Sequence, residues 1–217
     1  MKKILCLLLA VMLIASLGGC ADTFLKDAKL PPARTGAANM YASLAKEYTF
    51  ETAFEEADAV ARIQVGSWLG EDTNLKATYF QARVLECFKG NMPDTFTLRQ
   101  DGCTTHTYTG YPLFTAGNEL LVFLNEGSIT TYDSPYWIIG TYTTFMDVLY
   151  DNAGNRYYGD RKGHLGQTVE IGKNYTFDYE LFQQMYENLK ETDSLFAERE
   201  YQFPYIYAEA DLKAYLK

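Results

Sequence analysis

The chain has 217 residues, 47% of them hydrophobic and 15% aromatic, with a formal net charge of −9. Such a composition belongs to a packed globule rather than a disordered chain, and its acidity repels phosphate backbones and anionic headgroups, arguing against nucleic acid as a partner. Of the chain's 4 cysteines, only Cys87 and Cys103 follow Cys20, too few for a disulfide framework or a structural zinc site.

In chain order, Met1-Lys2-Lys3 supplies two positive charges, and residues 4–17 follow without a charge. That is the basic n-region and apolar h-region of an export signal. A membrane-spanning helix needs about 20 apolar residues, so a run of roughly 14 reads as a cleaved signal rather than a permanent anchor. Leu17-Gly18-Gly19-Cys20 resembles the lipobox of bacterial lipoproteins. The resemblance implies cleavage before Cys20, acylation of that cysteine with fatty chains such as palmitate, and a membrane-anchored, extracytoplasmic location. An ordinary signal with an incidental cysteine is the alternative. Several acyl chains on one residue would suffice for stable attachment. Removing residues 1–19 leaves 198 residues with 17 basic and 28 acidic side chains, a net charge of −11, so the tether must be covalent rather than electrostatic.

Residues 20–35, with Pro31-Pro32 and no sustained period, read as a flexible spacer. A short helix fits residues 36–48 around Met40, Tyr41 and Leu44. The folded unit starts near Thr49, and residues 52–58 form a short helix with early acids that ends at Asp58. Five strands follow, at residues 59–65, 79–88, 95–100, 119–124 and 136–139. Gly90-Asn-Met-Pro-Asp94 turns between the second and third. The spacing predicts a mainly β fold with added helices: a five-stranded OB-type Greek-key barrel over residues 49–141. Ile63, Val65, Phe80, Val84, Phe96, Leu98, Leu121 and Phe123 should share its interior. Residues 142–217 are an extension, in which 145–150 and 156–158 form a hairpin around Asp151-Asn-Ala-Gly-Asn155. Residues 178–191 form a helix with Leu181, Met185 and Leu189 on one face, packed on the barrel. Residues 194–200 and 208–216 are also read as helical, interrupted by Phe203-Pro204.

Ala53-Phe54, Ala57-Asp58-Ala-Val60, Phe88-Lys89-Gly90 and Gly117 with Leu120-Leu121 together resemble the OB-fold netrin-like modules, including the tissue inhibitors of metalloproteinases. They are also similar to uncharacterised bacterial surface proteins of the same pattern. The resemblance spans about residues 50–140 and implies the barrel. In those inhibitors a mature N-terminal cysteine, followed one residue later by a second, presents its amine and carbonyl to the protease zinc. Here the second position is Asp22 and Cys20 would carry lipid, so the inhibitory wedge is absent.

No catalytic set and no cofactor site is legible. Cys103-Thr-Thr-His106 brings two ligand types together without the further ligands a metal needs, and His164 stands alone, so no metal is expected. Glu55-Glu56 and Glu198 with Glu200 read as solvated faces, and Asp151–Asn155 as a hairpin turn rather than a calcium loop. Whether Cys87 and Cys103 pair is left open by the sequence. The surplus lies in aromatics: Trp68, Tyr108, Tyr111, Tyr132, Tyr136 and Trp137 fall at strand ends or in loops, where rings could grip a saccharide or protein partner or else complete the core. Three readings follow: a non-enzymatic binding or interaction lipoprotein, favoured here; an inhibitor-like module lacking the cysteine wedge; and an envelope hydrolase.

Overall fold

The computed structural model describes residues 23–34, 38–40, 46–127, 136–161, 163, 165, 175–199 and 201–217. In chain order these hold α1 (Thr23–Lys26), β1 (Ala38–Met40), α2 (Phe50–Glu56), β2 (Ala59–Asp72), β3 (Ala77–Lys89), β4 (Thr95–Asp101) and β5 (His106–Tyr108). They continue with β6 (Glu119–Glu126), β7 (Tyr136–Ile138), β8 (Phe145–Tyr150), β9 (Arg156–Asp160), α3 (Tyr179–Thr192), a 3-10 turn (Phe196–Glu198), β10 (Tyr205–Ala208) and α4 (Glu209–Lys213).

Strands β2, β3 and β4 form an antiparallel meander. Strand β7 then pairs parallel to β4 and antiparallel to β6, and β6 returns antiparallel to β2. Those pairings close a five-stranded barrel in the order expected of an OB-like fold, with all five strands at the predicted places. β2 runs well past the predicted residue 65. Register shifts at Val60/Ala61, Arg62/Ile63, Val65/Trp68 and Trp68/Gly70 bend it so that it can serve both sides of the closure.

At the β3–β4 turn Gly90 has φ +83°, and a Cβ there would lie 2.5 Å from the Asp58 carbonyl oxygen. Helix α2 begins two residues earlier than predicted, because Thr49 and Thr52 form a reciprocal capping box that satisfies its first backbone donors.

The barrel interior gathers Ile63, Val65, Phe80, Phe96 and Leu98, with Val84 packed against them. Leu121 and Phe123 correct the expectation of one shared interior: they face outward into a second core, with Phe50, Val60, Met146 and Tyr158. Leu120, Val122 and Leu124 point into the barrel instead. Five consecutive apolar residues on β6 offer no alternation from which its inward face could be read, because both faces are covered.

That second core exists because β8 pairs with β6, and β9 and β10 continue the sheet outward. The predicted hairpin is present, with Asp151 Oδ1 accepting from the backbone of Ala153 (2.9 Å) and Asn155 (2.8 Å) and Gly154 at φ +81°. Strand β10 was not legible, since the helical pattern of its neighbours masked four residues that pair with β9. Asp178 caps α3 through Leu181 N at 2.9 Å. The predicted stripe of α3 covers Leu149 of β8 together with Tyr201, Phe203 and Ile206, with Met185 fully buried.

Two N-terminal expectations change. Within 36–48, residues 38–40 are a strand, paired parallel to β5 from Ala38↔His106 to Met40↔Tyr108; backbone pairing outweighs a weak helical period there, and Tyr41 and Leu44 lie outside the described residues. Residues 23–34, read as a flexible spacer, pack on the barrel. Lys29 accepts a hydrogen bond from Trp68 N at 2.8 Å and donates to Ser67 Oγ at 3.2 Å. The Phe24 ring fills the space that a Cβ on Gly66 would occupy, 2.5 Å away, and carries the Arg83 guanidinium 4.8 Å above it.

Candidate functional site

The aromatic residues singled out in the sequence do not converge on one exposed surface. Tyr111 and Tyr136 are core residues, 5% and 8% exposed. Tyr111 packs 4.7 Å from Tyr142, and Tyr136 meets Phe96 edge-on at 5.2 Å. Tyr108 is half-buried, 4.8 Å from Tyr142, and Trp68 is half-buried against the barrel interior. The Trp137 ring lies so close to Gly127 that a Cβ there would sit 1.9 Å from it, so only part of the indole meets solvent. Tyr132, His164 and Cys20 lie outside the described residues.

Cys87 and Cys103 are both free, the first exposed and the second buried. β3 pairs Ala77 with Asp101, which puts Cys103 beside one end of β3 while Cys87 lies near the other. Ten residues of extended chain separate those ends by about 30 Å, far beyond bridging distance. His106 sits in β5 with its Nδ1 3.0 Å from Thr105 Oγ1. Among the described residues no three His, Cys, Asp or Glu side chains cluster as a metal site would require.

A cleft of about 450 Å³ lies between α3 and the β6–β8 part of the sheet. Its wall carries four carboxylates, Glu119, Asp147, Glu191 and Asp193, among apolar residues such as Val148, Leu149 and Met185. Glu119 accepts from Tyr150 Oη at 2.8 Å and Arg62 Nη1 at 3.3 Å. Asp147 is held bidentately by Arg161, whose Nε and Nη2 lie 3.0 and 2.5 Å from its oxygens. Asp193 lies 2.6 Å from Arg199 Nε and accepts from the Tyr201 hydroxyl. Three of the four carboxylates are therefore already matched by cations, leaving Glu191 exposed at the mouth beside Asn188 and Thr192.

Behind the cleft the two arginines join the extension to the barrel. Arg161 is enclosed by the rings of Tyr201, Tyr111 and Phe145, at 4.7, 5.2 and 5.4 Å. Burial alone would lower its pKa; Asp147 foremost, together with Tyr201 and Tyr111, raises it on balance. Arg199 donates to the carbonyls of Leu113 at 2.9 Å and Pro112 at 3.4 Å, residues of the β5–β6 connection. Burial likewise pushes the Tyr201 and Tyr111 hydroxyls well above the usual tyrosine range, holding both neutral. Charge-matched and desolvated, this cluster resembles a rigid partition rather than a poised acid–base pair.

Sequence reasoning did not find this cluster. Its members are separated by 14 residues (Arg161 and Asp147) and by 86 (Arg199 and Leu113), and each looks locally like an ordinary surface charge. No protein-family model matches the chain, and no curated protein matches it.

Proposed function

We propose that the chain is an extracytoplasmic lipoprotein, anchored through acyl chains on Cys20, whose barrel and extension form a non-enzymatic binding module for a polar ligand. The observation that carries the binding reading is the cleft under α3. It is large enough for a small ligand or a short segment of a larger one, and hydrogen-bonding groups line it. Its deep carboxylates are committed to Arg62, Arg161 and Arg199, which leaves shape and hydrogen bonding rather than proton transfer as its means of recognition. The export signal and the lipobox-like Leu17-Gly18-Gly19-Cys20 support the location.

Two measurements test the reading. Mass spectrometry of the mature N-terminus should find an acylated Cys20, and Cys20→Ala should yield an unprocessed or lipid-free chain; an unmodified N-terminus at another residue overturns the anchor. For the cleft, capture from envelope extract should recover a ligand with the native chain and lose it with Glu191→Arg, which crowds the mouth without touching the buried pairs. Equal recovery by both overturns the assignment of the cleft.

A further inference from the structure

We infer that a second hollow, of about 330 Å³ and sharing no lining residue with the cleft under α3, is a binding site for a small, neutral, mainly apolar molecule. Three separate parts of the chain wall it. The docked N-terminal segment contributes Leu30, Pro31 and Pro32, the β5–β6 connection contributes Pro112 and Leu113, and the stretch after α3 contributes Leu195. Arg199 reaches from that stretch to the carbonyls of Leu113 at 2.9 Å and Pro112 at 3.4 Å, fixing two of these walls to each other. The third is held by the backbone bonds of Lys29 to Trp68 and Ser67. The hollow is thus formed before a ligand arrives, which spares part of the ordering cost of binding.

The polar groups in its wall select the ligand's chemistry by being engaged already. Thr104 Oγ1 donates to Glu71 Oε1 at 2.7 Å and Thr115 Oγ1 to Asn118 Oδ1 at 3.3 Å, while Thr107 Oγ1 is itself buried. The Pro112 carbonyl accepts from Gln100 Nε2 at 3.2 Å as well as from Arg199. A water molecule needs about 2–4 polar partners to be held in a cavity, and this wall has few to give, so apolar contact is what it offers. The exposed charged residues of the lining are Arg34 and Glu198, one cation against one anion, so the hollow has no net charge with which to draw an ion. A cavity of about 150 Å³ holds benzene; one of about 330 Å³ therefore suits a body of about two rings.

The test uses the full-length Cys20→Ala chain, free of acyl groups that would compete for an apolar probe, in equilibrium dialysis against naphthol, a neutral two-ring molecule, and against naphthalenesulfonate, its anionic counterpart. Naphthol should bind saturably and about tenfold or more tightly than the sulfonate, whose charge would lose water without gaining a partner. Ala33→Trp and Ser194→Trp set an indole into the hollow from two different walls, at exposed positions. Each should weaken naphthol about tenfold or more with the circular-dichroism spectrum unchanged. Absence of saturable binding, or affinity that survives both substitutions, overturns the site. Affinity lost with Glu191→Arg instead moves the probe to the cleft under α3 and overturns it equally, and a sulfonate bound as tightly as naphthol overturns the ligand class.

Discussion

Replacing Arg199 with Met tests whether the buried charge cluster ties the C-terminal extension to the barrel. The Arg199 and Asp193 side chains are 1% and 2% exposed, so the substitution strands a carboxylate that keeps only neutral donors, the Tyr201 hydroxyl and the Leu195 backbone N–H at 3.0 Å. It also removes the Arg199 donor from the carbonyls of Leu113 and Pro112, the second of which keeps Gln100 Nε2 at 3.2 Å. Removing one partner of a buried pair costs about 3–5 kcal/mol, which for a domain of this size lowers Tm by roughly 10 °C. Arg199→Met combined with Asp193→Asn removes both charges and should recover about half of that loss, since the stranded charge is its largest component. Urea unfolding followed by circular dichroism reads both variants. A single variant within about 1 kcal/mol of the native chain, or a double variant less stable than the single, would refute the buried pair as the joint.

Phe123 is fully buried between β6 and α2, edge-on to Phe50 at 5.4 Å, so Phe123→Ala should cost about 3–5 kcal/mol; a loss under 1 kcal/mol in the same assay would mean that the second core is not tightly packed. Gly90→Ala sets a side chain at φ +83° and 2.5 Å from the Asp58 carbonyl oxygen, and should cost about 2 kcal/mol or more, seen as a lower urea midpoint. Burial pushes the Tyr158 hydroxyl up to about 12. A tyrosine whose native pKa exceeds its unfolded value of about 10 keeps a proton that the unfolded chain has released. Stability should therefore fall as pH rises from about 10 to about 12, and the fall should diminish in Tyr158→Phe; an unchanged pH profile in that variant would count against the assignment.

The barrel was legible because its strands alternate: 59–65, 79–88 and 95–100 each expose one face to the interior, and period two is readable wherever the other face is polar. On β6 that signal vanishes. Leu120 to Leu124 are all buried, a consequence of β8 and α2 covering the outer face, and no local pattern assigns their directions. Helix α3 could be placed from its stripe and Asp178 cap, whereas β10 is four residues long and becomes a strand only through pairing with β9. The cleft escaped notice for a related reason. Its ion pairs join segments remote in sequence, and the aromatic residues that looked available for a ligand are largely consumed by packing around Arg161 and within the barrel.

The placement of residues 23–34 also bears on the expectation drawn from the sequence resemblance to the metalloproteinase inhibitors. Their mechanism, as the resemblance implies it, needs a chain start that is both fixed to the barrel and free to present an amine and a carbonyl. Fixation is partly met here, through Phe24 on Gly66 and the backbone bonds of Lys29. The covalent part is missing: Asp22 occupies the second cysteine's place, and Cys87 and Cys103 are free and far from each other along the barrel. What docks is a segment beginning three residues after the proposed lipid site, with its ring turned onto the barrel rather than toward a partner. An N-terminal segment laid across the barrel through Phe24 and Lys29 thus leaves no cysteine-pinned chain start of the kind that mechanism needs. A concave surface under α3 is built jointly by Glu119 of β6 and by residues of the extension such as Asp147 and Met185.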